Sequence, residues 1–117
     1  MSDDLVPRGG RPYLLARARV EPAMLEQFRS WHRTVHLPHM LAIPGVVEAM
    51  PLRIGGAGVN SVVAYLFENE AAIRPALNSK EAALARNDWQ EWLPFVRGLS
   101  IQIYTTLGVE SALHHWN

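Results

Sequence analysis

Apolar and polar residues alternate along positions 12–20. Leu14, Ala16, Ala18 and Val20 fall on one side, and Tyr13, Leu15, Arg17 and Arg19 on the other. A period of two predicts a β-strand with one covered face, and Pro12 fits only at its start. The period then lengthens. Leu25, Phe28, His32 and Val35 recur at spacings of three and four, with Met24 and Trp31 widening the stripe, which predicts an amphipathic helix opened by Glu21-Pro22. Pro38 lacks an N–H for Thr34 and pushes Leu37 from helical geometry, so it ends or kinks this helix and leaves His36 on the last turn, partly exposed. The helix dipole there modestly favours protonated His36.

Ile43-Pro44-Gly45 reads as a second stop and a turn. A second strand is expected over 46–54, at an edge or bulged because Pro51 interrupts it. Glycines 55, 56 and 58 mark a hairpin loop, and residues 61–68 read as a third strand with Val62, Ala64 and Leu66 opposed to Val63, Tyr65 and Phe67. Asn69 is placed to cap a short helix that Pro75 limits. Asn78 with Glu81 forms a capping box for a helix to about Arg86, and Asp88 with Glu91 repeats the pattern before Pro94. The last strand is expected over 99–107, with Leu99, Ile101 and Ile103 facing one way and Gln102 and Tyr104 the other. Residues 1–11 read as a flexible leader and 108–117 as a tail, with one domain between them.

The order β-α-β-β-α-β is that of the α+β, ferredoxin-like arrangement: a four-stranded antiparallel sheet with helices on one face. The uncovered face is expected to carry Tyr13, Leu15, Val63, Tyr65, Phe67 and Tyr104, with Arg17 and Gln102 among them. Four strands give a face of about 400 Å², near the largest apolar patch that a soluble monomer shows. A homodimer that buries it by two-fold symmetry is the expectation; the alternative is a monomer with its tail folded over the sheet.

Composition narrows the partners. The 117 residues are 49% hydrophobic and 19% charged, with 11 basic and 11 acidic side chains and zero net charge. No basic stripe points to nucleic acid, and no apolar run is long enough to cross a membrane. Cysteine is absent, which excludes disulfides and thiol chemistry. The acidic start lacks the basic region of a secretory signal, so a cytoplasmic location is expected.

His36 is the candidate catalytic residue, because imidazole accepts and returns protons near neutral pH. The alternative is a histidine that caps helix carbonyls. His32 and His36, four apart, could share a metal ion with His39 or Glu48. No His-Glu-x-x-His pattern is present, however, and Arg33 opposes a cation. We expect no metal, and read His32 as a core histidine with its polar edge hydrogen-bonded. Arg17, Trp31, His32, Tyr65, Phe67, Gln102 and Tyr104 are the candidate ligand-binding residues: an apolar lining with a few polar groups. Arg17, Gln102 and the aromatic groups equally suit a dimer interface. The glycines do not have the spacing of a phosphate loop.

Trp31 and His36 on the first helix, the step His36-Leu37-Pro38, the turn Pro44-Gly45, and Trp89, Trp92, Pro94 and Phe95 before the last strand together resemble the EthD-like branch of the dimeric α/β barrel superfamily. The resemblance spans about residues 12–107. It implies a dimer with a cavity between the open sheet face and the first helix. It also implies an activity drawn from a broad set: cofactor-independent monooxygenases, muconolactone-type isomerases, dehalogenases and haem-handling enzymes. The expectation is a small enzyme without a cofactor, acting on a small hydrophobic or aromatic molecule by proton transfer at His36. The alternative is a non-catalytic binding or stress-associated dimer of the same fold.

Overall fold

The structure is a computed structural model that describes residues 11–52 and 58–105, together with the backbone of Gly108 and Val109. The leader through residue 10, most of the glycine loop and the end of the tail lie outside the described residues. Strands β1 (Tyr13–Val20), β2 (Val46–Pro51), β3 (Ser61–Phe67) and β4 (Val96–Thr105) form an antiparallel sheet in the order β2-β3-β1-β4. A two-residue strand, β5 (Gly108–Val109), pairs with the end of β4. The fold is thus ferredoxin-like, as the element order implied.

The strands sit where their chemistry requires. β2 is an edge strand, bulged between Val46 and Glu48, with Pro51 as its last residue, where no neighbour needs its missing N–H. β4 begins at Val96, three residues before the expected Leu99. Its register against β1 slips between Arg17 and Arg19, opposite Gly98 at φ +61°. Glycine adopts that left-handed angle without a Cβ penalty, so the bulge bends the strand and pairing continues through it.

The first helical segment departs from expectation. α1 (Leu25–Trp31) passes into a wide π turn (His32–His36) and then into α2 (Leu37–Leu41), so Pro38 lies inside the helical run. The backbone N–H of Leu37 reaches back five residues to the carbonyl of His32. Opening the turn by one residue moves backbone carbonyls away from the proline ring, the usual way in which a helix absorbs such a block. The Thr34 hydroxyl donates to the Ser30 carbonyl at 2.8 Å. The buried stripe passes from Phe28 to His36 and Met40, while Val35, expected inside, is 37% exposed. His36, expected on the last turn and partly exposed, is mid-run and buried.

The return helices are α3 (Ile73–Leu77) and α4 (Lys80–Asp88). Asn69 caps its turn as expected, accepting from the Ala72 N–H at 3.0 Å. At α4 the cap is Ser79, which accepts from Ala82 at 3.1 Å; Asn78 instead ends α3. Asp88 caps nothing and closes α4.

Register assigns the sheet faces. Leu14 pairs with Tyr65 and Ile103, and Ala16 with Val63 and Ile101; directly opposed residues share a face. Val63, Tyr65 and Phe67 therefore face the helices, where they pack with Leu14, Met40, Ile73 and Ile103. This corrects the expectation that they lie on the open side. Val62, Ala64 and Leu66 lie there instead, with Tyr13, Leu15, Arg17, Gln102 and Tyr104. The two aromatic side chains of β3, Tyr65 and Phe67, fill the core; on the other face Val62 and Ala64 are also buried and Leu66 is half-buried.

Candidate functional site

A second cluster packs beside the main core. Val20, Phe28, Trp89 and Trp92 are its buried members, with Trp31, Phe95 and Leu99 against them. Four of these rings come together because α1 presents Phe28 and Trp31 to the single turns after α4, which hold Trp89 and Trp92. Their centroids are 5.3–5.8 Å apart. Among the described residues, Trp92 Nε1 is a buried donor with no hydrogen-bond partner, a state that costs about 1–3 kcal/mol.

His36 sits at the margin of this aromatic wall with 3% of its side chain exposed. Trp31 lies almost flat on the imidazole, at 5.3 Å between centroids and 12° from parallel, and Trp89 meets it edge-on at 5.2 Å. The ring's Nδ1 is 3.0 Å from Asp88 Oδ2. His39 Nδ1 meets the same oxygen at 2.7 Å. A carboxylate only accepts, so each Nδ1 carries a hydrogen and donates it. His36 Nε2 is left with the lone pair. This is the tautomer that a neighbouring carboxylate fixes in a general base.

Electrostatics favour the neutral ring. Burial pushes the pKa of His36 down, opposed by the hydrogen bond and charge of Asp88, with His39 lowering it further. The expectation that a helix end favours protonation is overturned, because the ring lies inside the run and away from water. One turn earlier, His32 Nε2 is 3.0 Å from the Tyr65 hydroxyl. Burial first, and then the charge of His36, take His32 down to about 4; burial raises Tyr65.

The candidate residues thus divide between the two sides of the sheet. Trp31, His32, His36 and Tyr65 meet on the helix side, and Phe67 lies in the main core nearby. Arg17, Gln102 and Tyr104 meet on the open face, where Gln102 Oε1 accepts from Tyr104 Oη at 2.8 Å and from Arg17 Nη2 at 3.3 Å. Tyr13 stacks on Tyr104 at 5.2 Å. Among the described residues, the first helix lies across the sheet from Arg17, Gln102 and Tyr104, so these groups and His36 do not meet within one chain. The described residues contain no group of three His, Cys, Asp or Glu side chains placed to hold a metal ion. A cleft of about 420 Å³ opens behind Trp89, with Arg86, Asn87, Gln90, Leu99 and Ile101 among its walls. Trp89 separates it from His36.

Asp88 is the residue that sequence reasoning missed. Its place three before Glu91 disguised it as a helix cap. No spacing in the sequence pairs it with His36, because the contact joins helical segments 52 positions apart.

No family model and no curated protein sequence matches the chain. Solved structures do. An EthD family protein from Bacillus halodurans superposes with a TM-score of 0.63 at 16% identity, covering 80% of this chain and 95% of that one. The fold is the ferredoxin-like one of these proteins, and the chain resembles an EthD family member in it. A dimeric ferredoxin-like protein of unknown function from Thermobifida fusca gives a TM-score of 0.55 at 17% identity, covering 86% of this chain and 94% of that one. SnoaB, a cofactor-independent oxygenase from Streptomyces nogalater, gives 0.54 at 14% identity, with 88% and 97% covered.

Proposed function

We propose that this dimeric α/β barrel chain is a small homodimeric enzyme that needs no cofactor and acts on a small hydrophobic or aromatic molecule, in the manner of a monooxygenase, isomerase or dehalogenase. His36 takes a proton from the substrate at Nε2 and returns it, or leaves an enolate whose own electrons react onward. The observation that carries this reading is the seating of His36: a buried, neutral imidazole, its Nδ1 donating to Asp88 and its faces held by Trp31 and Trp89. Such an arrangement has few structural reasons to exist, because a buried imidazole costs more than an apolar side chain of the same size. It has a chemical one, since proton transfer to a positioned base is worth about 10²–10⁴-fold.

The cleft behind Trp89 is large enough for a ligand of one or two rings, and the reading requires the Trp89 indole, which meets His36 edge-on, to turn and open it towards that ring. The open face, with Tyr13, Leu15, Leu66 and Tyr104, is the surface that a second copy covers. The fold shared with SnoaB and with a dimeric relative supports both parts of the reading.

The test uses a panel of enolisable aromatic ketones and hydroxyquinones, with oxygen uptake and deuterium incorporation as readouts. Wild type turns over at least one of them, and His36→Ala loses the activity while keeping its dimer and its melting temperature. Loss of folding together with activity makes the residue structural.

One observation favours a second reading: the cleft does not touch His36 in the resting structure. A non-catalytic small-molecule-binding dimer would need only the cleft. Ligands that raise the melting temperature equally in wild type and His36→Ala, with no turnover in either, select that reading.

A further inference from the structure

Asp88 Oδ2 is shared. His36 Nδ1 approaches it from the π turn at 3.0 Å and His39 Nδ1 from α2 at 2.7 Å. The two imidazoles differ sharply in their access to water. The side chain of His36 is 3% exposed and that of His39 is 34% exposed, while Asp88 between them is 8% exposed. A nearly dry carboxylate therefore joins one sealed ring to one wet ring. Among the described residues, His32, which is bonded to Tyr65 of β3, also faces His36, and Trp31 and Trp89 pack against its ring.

A single negative charge in such a setting neutralises one positive charge well and two poorly, because burial strengthens the repulsion between like charges. We propose that His39 is the outer member of a charge-sharing pair, in which Asp88 supports one imidazolium at a time and a proton taken up by His36 is matched by one released to solvent from His39. This rests on the reading of His36 as a base and adds the means by which a sealed base becomes charged without leaving net charge behind. His39 acts through Asp88 and is a positioning residue; it does not touch the substrate.

The step balances. The substrate C–H bond breaks, its electron pair stays on the substrate as an enolate, and its proton bonds to His36 Nε2. His36 is then an imidazolium that still donates from Nδ1 to Asp88. His39, when it holds a second proton, loses it from Nε2 to water and keeps its Nδ1–H on Asp88. Asp88 Oδ2 accepts from both Nδ1 atoms before and after the transfer. Return of the proton to the substrate reverses each transfer.

The experiment follows the ring signals of His36 by NMR against pH in the intact protein, comparing wild type with His39→Gln. Glutamine at this partly exposed position removes the competing charge and leaves the core untouched. The titration midpoint of His36 is expected to rise by about one pH unit, the scale at which two sites count as coupled. Asp88→Asn, or Asp88→Leu should the amide misfold the protein, removes the shared anion and drops the midpoint below that of wild type. With an active probe from the panel above, the acidic limb of the pH–rate profile moves up by the same amount in His39→Gln, a change that a purely structural histidine does not produce. A His36 midpoint that is the same with and without His39 overturns the pairing. A shifted midpoint in a protein that turns over nothing supports the pairing and counts against the enzyme reading, so the two fail separately.

Discussion

His36 and Asp88 stand 52 positions apart in the chain, and their side chains meet at 3.0 Å. The carboxylate fixes the imidazole's tautomer and offsets part of the cost of burying it. Asp88→Asn keeps a similar shape and loses the charge. The His36 pKa then falls further, because the two influences that raise it both come from Asp88. Turnover on any substrate found is expected to drop about 10²-fold or more. Steady-state kinetics beside an NMR titration of the variant check both outcomes.

Stability should depend on pH in a defined direction. His32 is carried down to about 4 in the folded chain, against an ordinary value near 6.5 in the unfolded chain. Between those limits the unfolded chain binds more protons, so stability is complete above about pH 6.5 and is lost as pH falls towards 4. The loss from this one group is roughly 3 kcal/mol. Buried His36, also lowered, acts with the same sign. Urea melts from pH 4 to 8 should show a rise and then a plateau, and His32→Gln should flatten the slope.

Gly45 holds the turn between α2 and β2 at φ +95°, and a Cβ there would meet the Ala72 Cβ at 3.0 Å. Its carbonyl accepts from the Glu68 N–H at 2.7 Å, so the turn cannot shift freely. Gly45→Ala is expected to destabilise the fold by about 1–3 kcal/mol. Gly98, also at positive φ, has open space around its absent Cβ; its alanine variant should cost less. Parallel thermal melts compare the two.

The open face makes a prediction about assembly. Leu15 and Leu66 lie on it with Tyr13 and Tyr104, away from the core. The wild-type protein should sediment at about twice 13.1 kDa, and Leu15→Asp with Leu66→Asp should shift it to the protomer. The Trp31, His36 and Asp88 cluster lies across the sheet from these positions, so near-ultraviolet circular dichroism of the tryptophans should change little.

The fold was legible because it depends on periods and stops. Alternation in β1 and β3, the stop at Pro44-Gly45 and the element order led directly to the ferredoxin-like sheet. Which way β3 turned was less legible. Val62, Ala64 and Leu66 are as apolar as Val63, Tyr65 and Phe67, so alternation gives two faces without naming the inner one. Pairing of Leu14 with Tyr65 settles it. The environment of His36 was hidden for a different reason. Local rules make Pro38 a stop, and the π turn that carries the helix through it is held by tertiary packing of His36 and Met40. Asp88 was hidden because contacts between helices leave no trace in spacing.

The central claim is that His36 is a neutral base with its Nδ1 hydrogen on Asp88 and its Nε2 bare. Nitrogen-15 NMR of the histidine rings at pH 7 tests it most directly. The expected spectrum of the wild-type protein shows His36 in the Nδ1–H form with an unprotonated Nε2, and it changes when Asp88 is substituted or the pH is lowered. A His36 ring that carries its hydrogen on Nε2, or is doubly protonated at pH 7, would contradict the claim.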